Sequence, residues 1–346
     1  MTFQPTFDIG GKAVGDAAPC LVVAEIGPNH DGDPARAMAL VDAAADAGCD
    51  ALKFQYHIAD AEIFDRTTKS YYFDETRYDF IKRVQEFPQA VHEKLRAHVR
   101  ERGLLYICSV FSEAAAERVT ALDPDAFKLP SGEAGNPWLI ERVARSGRPV
   151  IVSSGMSPIE EIDALLDTLR PVTEKVVLLH CVSEYPTRRE DMHLRLIPVL
   201  HARYGCPVGL SDHSRNIVEI SASVALGAAM IEVHFTFDRT AHGPDHHVSL
   251  LPGEMAALVG RVRDLEAALG RSEKILSAHA GAMRASFTNS IVASRPIRRG
   301  EILSRDNLTL MKPGTGLPAT KLPNVLGRRA LTDVPALTAL KPEDFA

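Results

Sequence analysis

Residues 230–236 read MIEVHFT, a short run in which polar and apolar side chains alternate. Successive side chains of a β-strand point to opposite faces, so Glu232 and His234 share one face while Val233 and Phe235 share the other. Such a run predicts a strand that packs on one side and presents polar groups on the other. The rest of the chain repeats this arrangement.

Seven similar runs precede this one: LVVAEIG (21–27), DALKFQ (50–55), LLYICSV (104–110), AFKLPSG (126–132), PVIVSSG (149–155), VVLLHCVS (176–183) and PVGLSDHS (207–214). Helix-start signals lie between them, namely Asp33 with Pro34, Asn136 with Pro137, and Ser157 with Pro158. Eight strands that alternate with helices over about 250 residues predict an α/β fold of the (β/α)8, or TIM-barrel, type.

Composition narrows the classes of function. The formal net charge of −6 and the lack of a basic cluster argue against a nucleic-acid partner. No apolar run reaches membrane-spanning length, and the first residues lack the basic start and apolar middle of a signal peptide. The five cysteines form no CxxC pair, which suits a reducing compartment. We therefore expect a cytoplasmic protein that acts on small molecules.

Polar residues fall at the C-terminal ends of the predicted strands, where barrel enzymes place their chemistry. They are Glu25, Lys53, Gln55, Lys128, Ser153, Ser183, Ser211, His213 and His234. Any one of them alone would more often be a solvated surface residue. Because buried polar groups cost free energy unless they are paired, their convergence from seven strands indicates a functional site.

Two lysines and four serines at this mouth predict an anion pocket. Lys53 and Lys128 supply positive charge, and hydroxyl groups supply hydrogen-bond donors. The serines are Ser131, Ser153, Ser183 and Ser211. Together these groups suit a doubly charged anion such as a phosphate ester.

Two histidines on adjacent strands suit one divalent cation. His213 and His234 both face the pore, and neutral imidazoles are common metal ligands. Because two histidines alone hold a metal weakly, we expect carboxylate or water ligands to complete the site. On the following loop, Asp245 is a candidate for binding a polar substrate, whereas His246 and His247 are expected to be solvated on a mobile lid.

The ordered motifs of the chain resemble those of the sialic acid synthase (N-acetylneuraminate synthase) family. They are EIGPNHDGD (25–33), KFQ (53–55), KLPSGE (128–133), SSGM (153–156), LLHCVSEYPT (178–187), GLSDHS (209–214), EVHFT (232–236) and GPDH (243–246). Residues 287–346 resemble the family's small β-rich antifreeze-like domain, also called the SAF or β-clip domain. The resemblance implies a barrel over residues 1–270 and a linker over 271–286.

The resemblance implies that phosphoenolpyruvate condenses with an open-chain acylamino sugar aldehyde. The products would be a nine-carbon 2-keto-3-deoxy acid and phosphate. A divalent ion, Mn²⁺ or Mg²⁺, on His213 and His234 would act as a Lewis acid on the aldehyde oxygen. Glu25 would handle a proton or position the water, and we expect the nearby lysines and cation to keep it ionised.

The resemblance also divides the binding residues between the two substrates. Those implied for phosphoenolpyruvate are Lys53, Lys128, Ser131, Ser153, Ser183 and Ser211, and those implied for the sugar are Gln55, Tyr185, Asp245 and Lys312. Lys312 would come from the partner of a homodimer, with the C-terminal domain over the partner's barrel. It replaces the arginine of the family and loses that residue's planar fork. The acceptor therefore stays open between N-acetylmannosamine and a 2,4-diacetamido-6-deoxyhexose.

Two other interpretations remain open. Lys53 or Lys128 would be the nucleophile of a Schiff-base aldolase that acts on a keto-deoxy sugar acid. Alternatively, the chain would be a non-catalytic carbohydrate-binding protein. The loop at residues 66–80, with its tyrosines and phenylalanines, is a candidate for either a lid or a dimer contact.

Overall fold

Eight parallel strands close into a barrel, as the sequence predicts. The structure, a computed structural model, describes residues 1–70 and 74–346, so the middle of the loop at 66–80 lies outside the described residues. The chain forms two compact units, residues 1–270 and 271–346. The first unit contains the barrel.

The barrel strands follow chain order around the ring, and the last strand pairs with the first. They are β3 (Leu21–Glu25), β4 (Ala51–Tyr56), β5 (Leu105–Val110), β6 (Ala126–Leu129), β7 (Val150–Ser153), β8 (Val176–Cys181), β9 (Val208–Asp212) and β10 (Met230–His234). The first residue of each of these strands lies within two residues of the predicted start. Two further strands precede them, β1 (Thr6–Ile9) and β2 (Lys12–Gly15).

Helices lie between the strands. In the first unit they are α1 (Pro34–Asp46), α2 (Ala59–Glu62), α3 (Arg77–Phe80), α4 (Gln89–Glu101), α5 (Glu113–Ala121), α6 (Pro137–Ala144), α7 (Ile159–Leu169), α8 (Leu196–Tyr204), α9 (Ile217–Ala225) and α10 (Pro252–Leu269). A π-helical turn, Ile81–Gln85, continues α3. Side chains that face outward from the strands, such as Leu52 and Phe54, form one core with the apolar faces of these helices.

The side chains that face the barrel interior change from apolar to polar along most of the strands. On β3, buried Val23 precedes Glu25, and on β6, buried Ala126 precedes Lys128. The same change occurs from Ile107 to Ser109, from Ile151 to Ser153 and from Met230 to Glu232. The antiparallel hairpin of β1 and β2 packs Phe7, Ile9 and Val14 against the apolar layer. Only the C-terminal mouth of the barrel is therefore left for polar chemistry.

The second unit is built around a small β-rich core. Strands β11 (Ser290–Ala293) and β12 (Leu308–Met311) pair antiparallel, and isolated β-bridges join further segments of the unit. Helices α11 (Ala278–Phe287) and α12 (Leu322–Val325) belong to it. Residues 278–286 of the segment expected as a linker are thus helical, with Ser277 as the N-terminal cap.

Candidate active site

Four charged side chains from four strands meet at the barrel mouth. Lys53 Nζ lies 2.9 Å from Glu25 Oε2 and 3.5 Å from Glu232 Oε1. Lys128 Nζ lies 3.3 Å from the same Glu232 oxygen. Ser211 donates to that oxygen at 3.0 Å, and Lys53 donates to Ser109 Oγ at 3.1 Å. All four charged groups are buried, so each depends on its neighbours in place of water.

Burial and neighbouring charges shift the pKa values of these groups in different directions. Burial acts to lower the pKa of Lys53, but the carboxylates of Glu232 and Glu25 outweigh it and raise the value. Burial lowers the pKa of Lys128 despite the attraction of Glu232. For Glu232, Lys128 and Lys53 overcome the effect of burial and bring the pKa to about 2. The lysines are therefore charge-compensated mainly by Glu232.

Glu25 is subject to opposing effects on its pKa. Burial raises its pKa, Lys53 acts against that shift, and Glu232 adds to it. The expectation that the lysines and a cation keep Glu25 ionised therefore stays a prediction.

The serines surround the two lysines. Ser153 is buried on β7, and its hydroxyl has no hydrogen-bond partner among the described residues. Ser131 and Ser183 approach each other, with 3.4 Å between their hydroxyl oxygens. Gly155, at φ +29°, permits this approach, because a Cβ atom there would lie 2.3 Å from Ser131 Oγ and 2.6 Å from Ser183 Oγ. The hydroxyl groups and lysines thus form one concave, donor-rich surface.

The two histidines predicted as metal ligands lie side by side. The ring centroids of His213 and His234 are 5.3 Å apart, and both side chains are buried. His213 Nδ1 donates to the carbonyl oxygen of Val182 at 2.8 Å, which leaves its Nε2 lone pair available. Burial lowers the pKa of both imidazoles, so both are neutral, as metal ligands must be.

This pair fits a divalent cation that is held by few protein atoms. His234 Nδ1 is buried without a hydrogen bond to any described residue and lies 3.4 Å from Asp245 Oδ2. Within the described residues no cluster of three or more His, Cys, Asp or Glu side chains has the arrangement of a metal site. A cation on His213 and His234 would therefore take its other ligands from water or substrate.

Three of the residues implied for sugar contact, Gln55, Tyr185 and Asp245, lie near Glu25 and the two histidines. Gln55 Nε2 donates to Glu25 Oε1 at 2.7 Å, and Tyr185 stacks on His213 with ring centroids 4.0 Å apart. Burial, and after it Glu25, raises the pKa of Asp245 to about 7. Lys312 lies in the second unit directly after β12, with its ammonium group 5.7 Å from the ring centroid of Phe287.

One prediction about the loop after β10 is wrong. His246 is fully buried, with Nδ1 2.7 Å from Thr236 Oγ1 and Nε2 2.9 Å from Asp31 Oδ1. Its position in a Gly-Pro-Asp-His-His run gave no indication of these partners, because Asp31 is 215 residues away in the chain. His247 is exposed, as expected. The buried histidine fixes the loop that carries Asp245.

The structure also adds pocket residues that the sequence analysis did not select. They are Glu232, Ser109, His57, Gln85, Phe111 and Glu133. The alternation in MIEVHFT had placed Glu232 on the pore face, so a signal for it was present. His57 and Gln85 lie beyond strand ends, where alternation carries no information.

A cavity of about 580 Å³ opens at the mouth, and the predicted barrel residues of the site line it. Its floor is formed by Lys53, Lys128, Ser153 and Glu232, and its outer part by side chains that include Gln55, Tyr185 and Asp245. A pocket of this size holds two small molecules of metabolite size. Fold and site together define a (β/α)8 barrel whose mouth carries a cavity lined by buried lysines and hydroxyl groups.

Comparison with known proteins identifies the family. The NeuB family model matches residues 40–274, and the SAF domain model matches residues 288–346. The N,N'-diacetyllegionaminic acid synthase of Legionella pneumophila is 34% identical over 342 residues, covering 96% of each chain. The N-acetylneuraminate-9-phosphate synthase of Homo sapiens is 34% identical over 331 residues, covering 94% of this chain and 92% of that protein.

A solved structure agrees with these matches. The spore coat polysaccharide biosynthesis protein SpsE of Bacillus subtilis is 33% identical, covers 99% of both chains and has a TM-score of 0.68. The chain therefore belongs to the NeuB family of sialic acid synthases and carries a C-terminal SAF domain. It is an enzyme of the transferase class, which excludes the non-catalytic interpretation. Among the described residues, no helix has the length and apolar character needed to cross a membrane.

Proposed function

We propose that the enzyme condenses phosphoenolpyruvate with an acylamino sugar aldehyde to give a nonulosonic acid and phosphate. The observation that carries this proposal is the floor of the cavity, which is lined by two buried lysines and by a buried serine hydroxyl that has no hydrogen-bond partner among the described residues. The names of the relatives support it, since both are synthases of nonulosonic acids.

Lys53, Lys128 and the serines would hold the phosphate and carboxylate of phosphoenolpyruvate. The carboxylates of Glu232 and Glu25 lie against the two ammonium groups. Within the part of the chain that the structure describes, the Ser153 hydroxyl has no partner and could donate to an incoming oxygen. Fixed donors of this kind stabilise charge without rearrangement during the reaction.

In the reaction, the methylene carbon of phosphoenolpyruvate attacks the aldehyde carbon, and positive charge develops at the enol ether carbon. Water adds there, and the resulting tetrahedral phosphate hemiketal loses phosphate by C–O cleavage. Glu25, held by Lys53 and Gln55, would accept the proton of the water or position it. Asp245 and Tyr185 would orient the sugar.

His213 and His234 would hold a divalent cation, Mn²⁺ or Mg²⁺, at the sugar side of the cavity. When bound, such a cation polarises an aldehyde oxygen as a Lewis acid. The neutral rings, the Nε2 lone pair of His213 and the His234 Nδ1, which has no hydrogen bond to a described residue, support this assignment.

We also propose that a homodimer completes the site and that Lys312 reaches the partner's barrel. A lysine supplies a point charge and no planar fork, so it would contact the sugar's acyl oxygen less specifically than an arginine. The acceptor would be N-acetylmannosamine, its 6-phosphate or a 2,4-diacetamido-6-deoxyhexose.

The test is phosphate release from phosphoenolpyruvate with each of these sugars, followed by mass identification of the keto acid. Release should need one of them, stop with EDTA and return with added Mn²⁺. His234→Ala should abolish it, whereas the matched control His92→Leu, which removes a buried imidazole that does not line the cavity, should retain it. Full turnover of His234→Ala, or no release with any sugar, would overturn the proposal.

The Schiff-base aldolase alternative conflicts with the transferase class of the relatives, and it rests only on the burial that lowers the pKa of Lys128. An aldolase of that kind would form an adduct that borohydride traps in the presence of a keto-deoxy sugar acid. Peptide mass analysis after borohydride treatment separates the two candidates, because the proposed condensation leaves Lys128 unmodified.

A further inference from the structure

A hydrogen-bonded network leads from Glu25 away from the floor of the cavity. Gln55 Nε2 donates to Glu25 Oε1 at 2.7 Å, and Gln55 Oε1 accepts from Gln85 Nε2 at 2.8 Å. The Nε2 atom of His57 lies 3.1 Å from both the Gln55 oxygen and the Gln85 nitrogen. The imidazole of His57 therefore touches both amides of the Gln55–Gln85 pair.

His57 is itself held firmly. Its Nδ1 lies 2.7 Å from Glu62 Oε2, and the other oxygen of Glu62 accepts from the backbone N–H of Ile58 at 2.7 Å. The ring stacks on Phe111 with centroids 4.0 Å apart and an interplanar angle of 18°. The side chain is 2% exposed, and that of Glu62 is 5% exposed. Such a carboxylate–imidazole pair has one orientation and one tautomer at Nδ1.

The orientation of the Gln55 amide determines whether its NH₂ group or its oxygen contacts Glu25. His57 donates from Nδ1 to Glu62, so its Nε2 lone pair accepts from Gln85. Gln85 in turn donates to Gln55 Oε1, and the Gln55 amide therefore presents its NH₂ group to Glu25. A flipped amide would place its oxygen against the carboxylate and leave both without a donor. Since Glu25 Oε2 lies 2.9 Å from Lys53, the carboxylate is held from both sides.

We propose that His57, fixed by Glu62, is a positioning residue that sets Gln55 and, through it, Glu25. The inference rests on the proposed function. His57 would act without touching the reacting atoms, and its loss would affect the steps that use Gln55 and Glu25. Binding of phosphoenolpyruvate on Lys128 and Ser153 would not depend on it.

The kinetic experiment compares wild type with His57→Ala, Glu62→Ala and Glu62→Gln. For His57→Ala we expect kcat/KM for the sugar to fall about 10- to 100-fold, the range for a displaced catalytic group. KM for phosphoenolpyruvate should stay within about twofold, because its binding on Lys128 and Ser153 does not depend on His57. A uniform loss of folded enzyme would change only the active fraction and would leave the KM values of both substrates unchanged. Glu62→Gln keeps one acceptor for the imidazole and should recover part of the loss seen in Glu62→Ala.

His92→Ala is the matched control. His92 is as buried as His57 and stacks on Tyr56 with centroids 4.4 Å apart, yet neither of its ring nitrogens has a hydrogen bond to a described residue. This variant should lose stability without a change in KM for the sugar. An equal change in KM in both variants would show that His57 has only a structural role.

A crystal structure of His57→Ala gives a readout that needs no activity. The Gln55 amide should be flipped or displaced from Glu25. Retention of the 2.7 Å contact in that variant, or an unchanged kcat/KM for the sugar, would overturn the positioning role. If wild type releases no phosphate with any sugar, the proposed function fails, while this crystal structure still decides whether His57 positions Gln55.

Discussion

At the residue scale, Glu232 determines how two ammonium groups can be buried together. One of its oxygens lies 3.3 Å from Lys128 and 3.5 Å from Lys53, and Ser211 donates to the same atom. A buried charge without its partner costs several kcal/mol, so this carboxylate stabilises both lysines. A bound phosphate ester would take over part of that role.

Glu232→Gln should therefore destabilise the ligand-free enzyme by about 3 kcal/mol or more. Inorganic phosphate should then raise the melting temperature of the variant more than that of wild type, because the anion restores the missing charge. Thermal melts with and without phosphate measure both effects. Equal phosphate shifts in the two proteins would contradict the assigned role.

Ser153 and Ser154 form a matched pair of adjacent residues. The Ser153 hydroxyl has no partner among the described residues, whereas Ser154 Oγ donates to the carbonyl of Leu179 and accepts from the N–H of Cys181. Ser153→Ala should weaken phosphoenolpyruvate binding about tenfold or more, since a hydrogen bond to a charged group contributes about 1.5–3 kcal/mol. Calorimetric titration checks this.

Ser154→Ala should have the opposite profile, with lower thermal stability and nearly unchanged affinity, because its hydroxyl joins β7 to β8. Loss of affinity in Ser154→Ala alone would show that the anion lies elsewhere.

At the element scale, the strand pattern and two of three helix starts were predictable. Asp33 and Asn136 accept hydrogen bonds from the first turns of α1 and α6, as their sequence neighbours indicate. The start at Ser157 is wrong, since α7 begins at Ile159 without a side-chain cap. Local hydrogen bonds set the starts of α1 and α6, whereas the path of the loop between β7 and α7 sets the start of α7.

The contact of α4 with the loop after β3 contains two buried histidines whose protonation opposes folding. His92 on α4 packs edge-on against Phe87, and His30 stacks on the same ring. Burial lowers the pKa of His92 to about 4 and that of His30 to about 3. The unfolded chain, with an ordinary histidine pKa near 6.5, binds these protons at higher pH than the folded one does.

The free energy of unfolding should therefore be highest above pH 6.5 and fall as the pH drops toward 4. Each histidine would account for a loss of roughly 2 kcal/mol between pH 7 and pH 5. His92→Leu should reduce that fall by about this amount. It should not destabilise the protein at pH 7, because it removes two ring nitrogens that have no hydrogen bond to any described residue. Urea titrations at several pH values test this, and an unchanged slope would contradict it.

At the scale of the whole molecule, the proposal that Lys312 crosses to a partner's barrel predicts that two impaired variants complement each other in a mixed dimer. Lys312→Ala and His234→Ala would each be impaired as pure proteins. After mixing and subunit exchange, a heterodimer has one site with neither substitution, so activity should recover to roughly a quarter of wild type at equal amounts. No recovery after proven exchange would show that each chain completes its own site.

Much of the fold and the location of the site could be predicted because both depend on short-range patterns. Alternation within MIEVHFT places Glu232 and His234 on the pore face, and the barrel brings such strand ends to one mouth. The pairing of Lys128 with Glu232, 104 residues apart, could not be predicted, because alternation gives a side chain's direction and not its partner.

The sequence by itself determined the eight strands, their inward-facing residues and the family, since period-2 alternation and ordered motifs are properties of the chain. Only the tertiary structure decided which buried groups compensate one another: Glu232 with two lysines, His57 with Glu62 and Gln55, and His246 with Asp31. The physical reason is that burial removes water from these groups. Their protonation and orientation then depend on neighbours that folding alone brings within hydrogen-bonding distance.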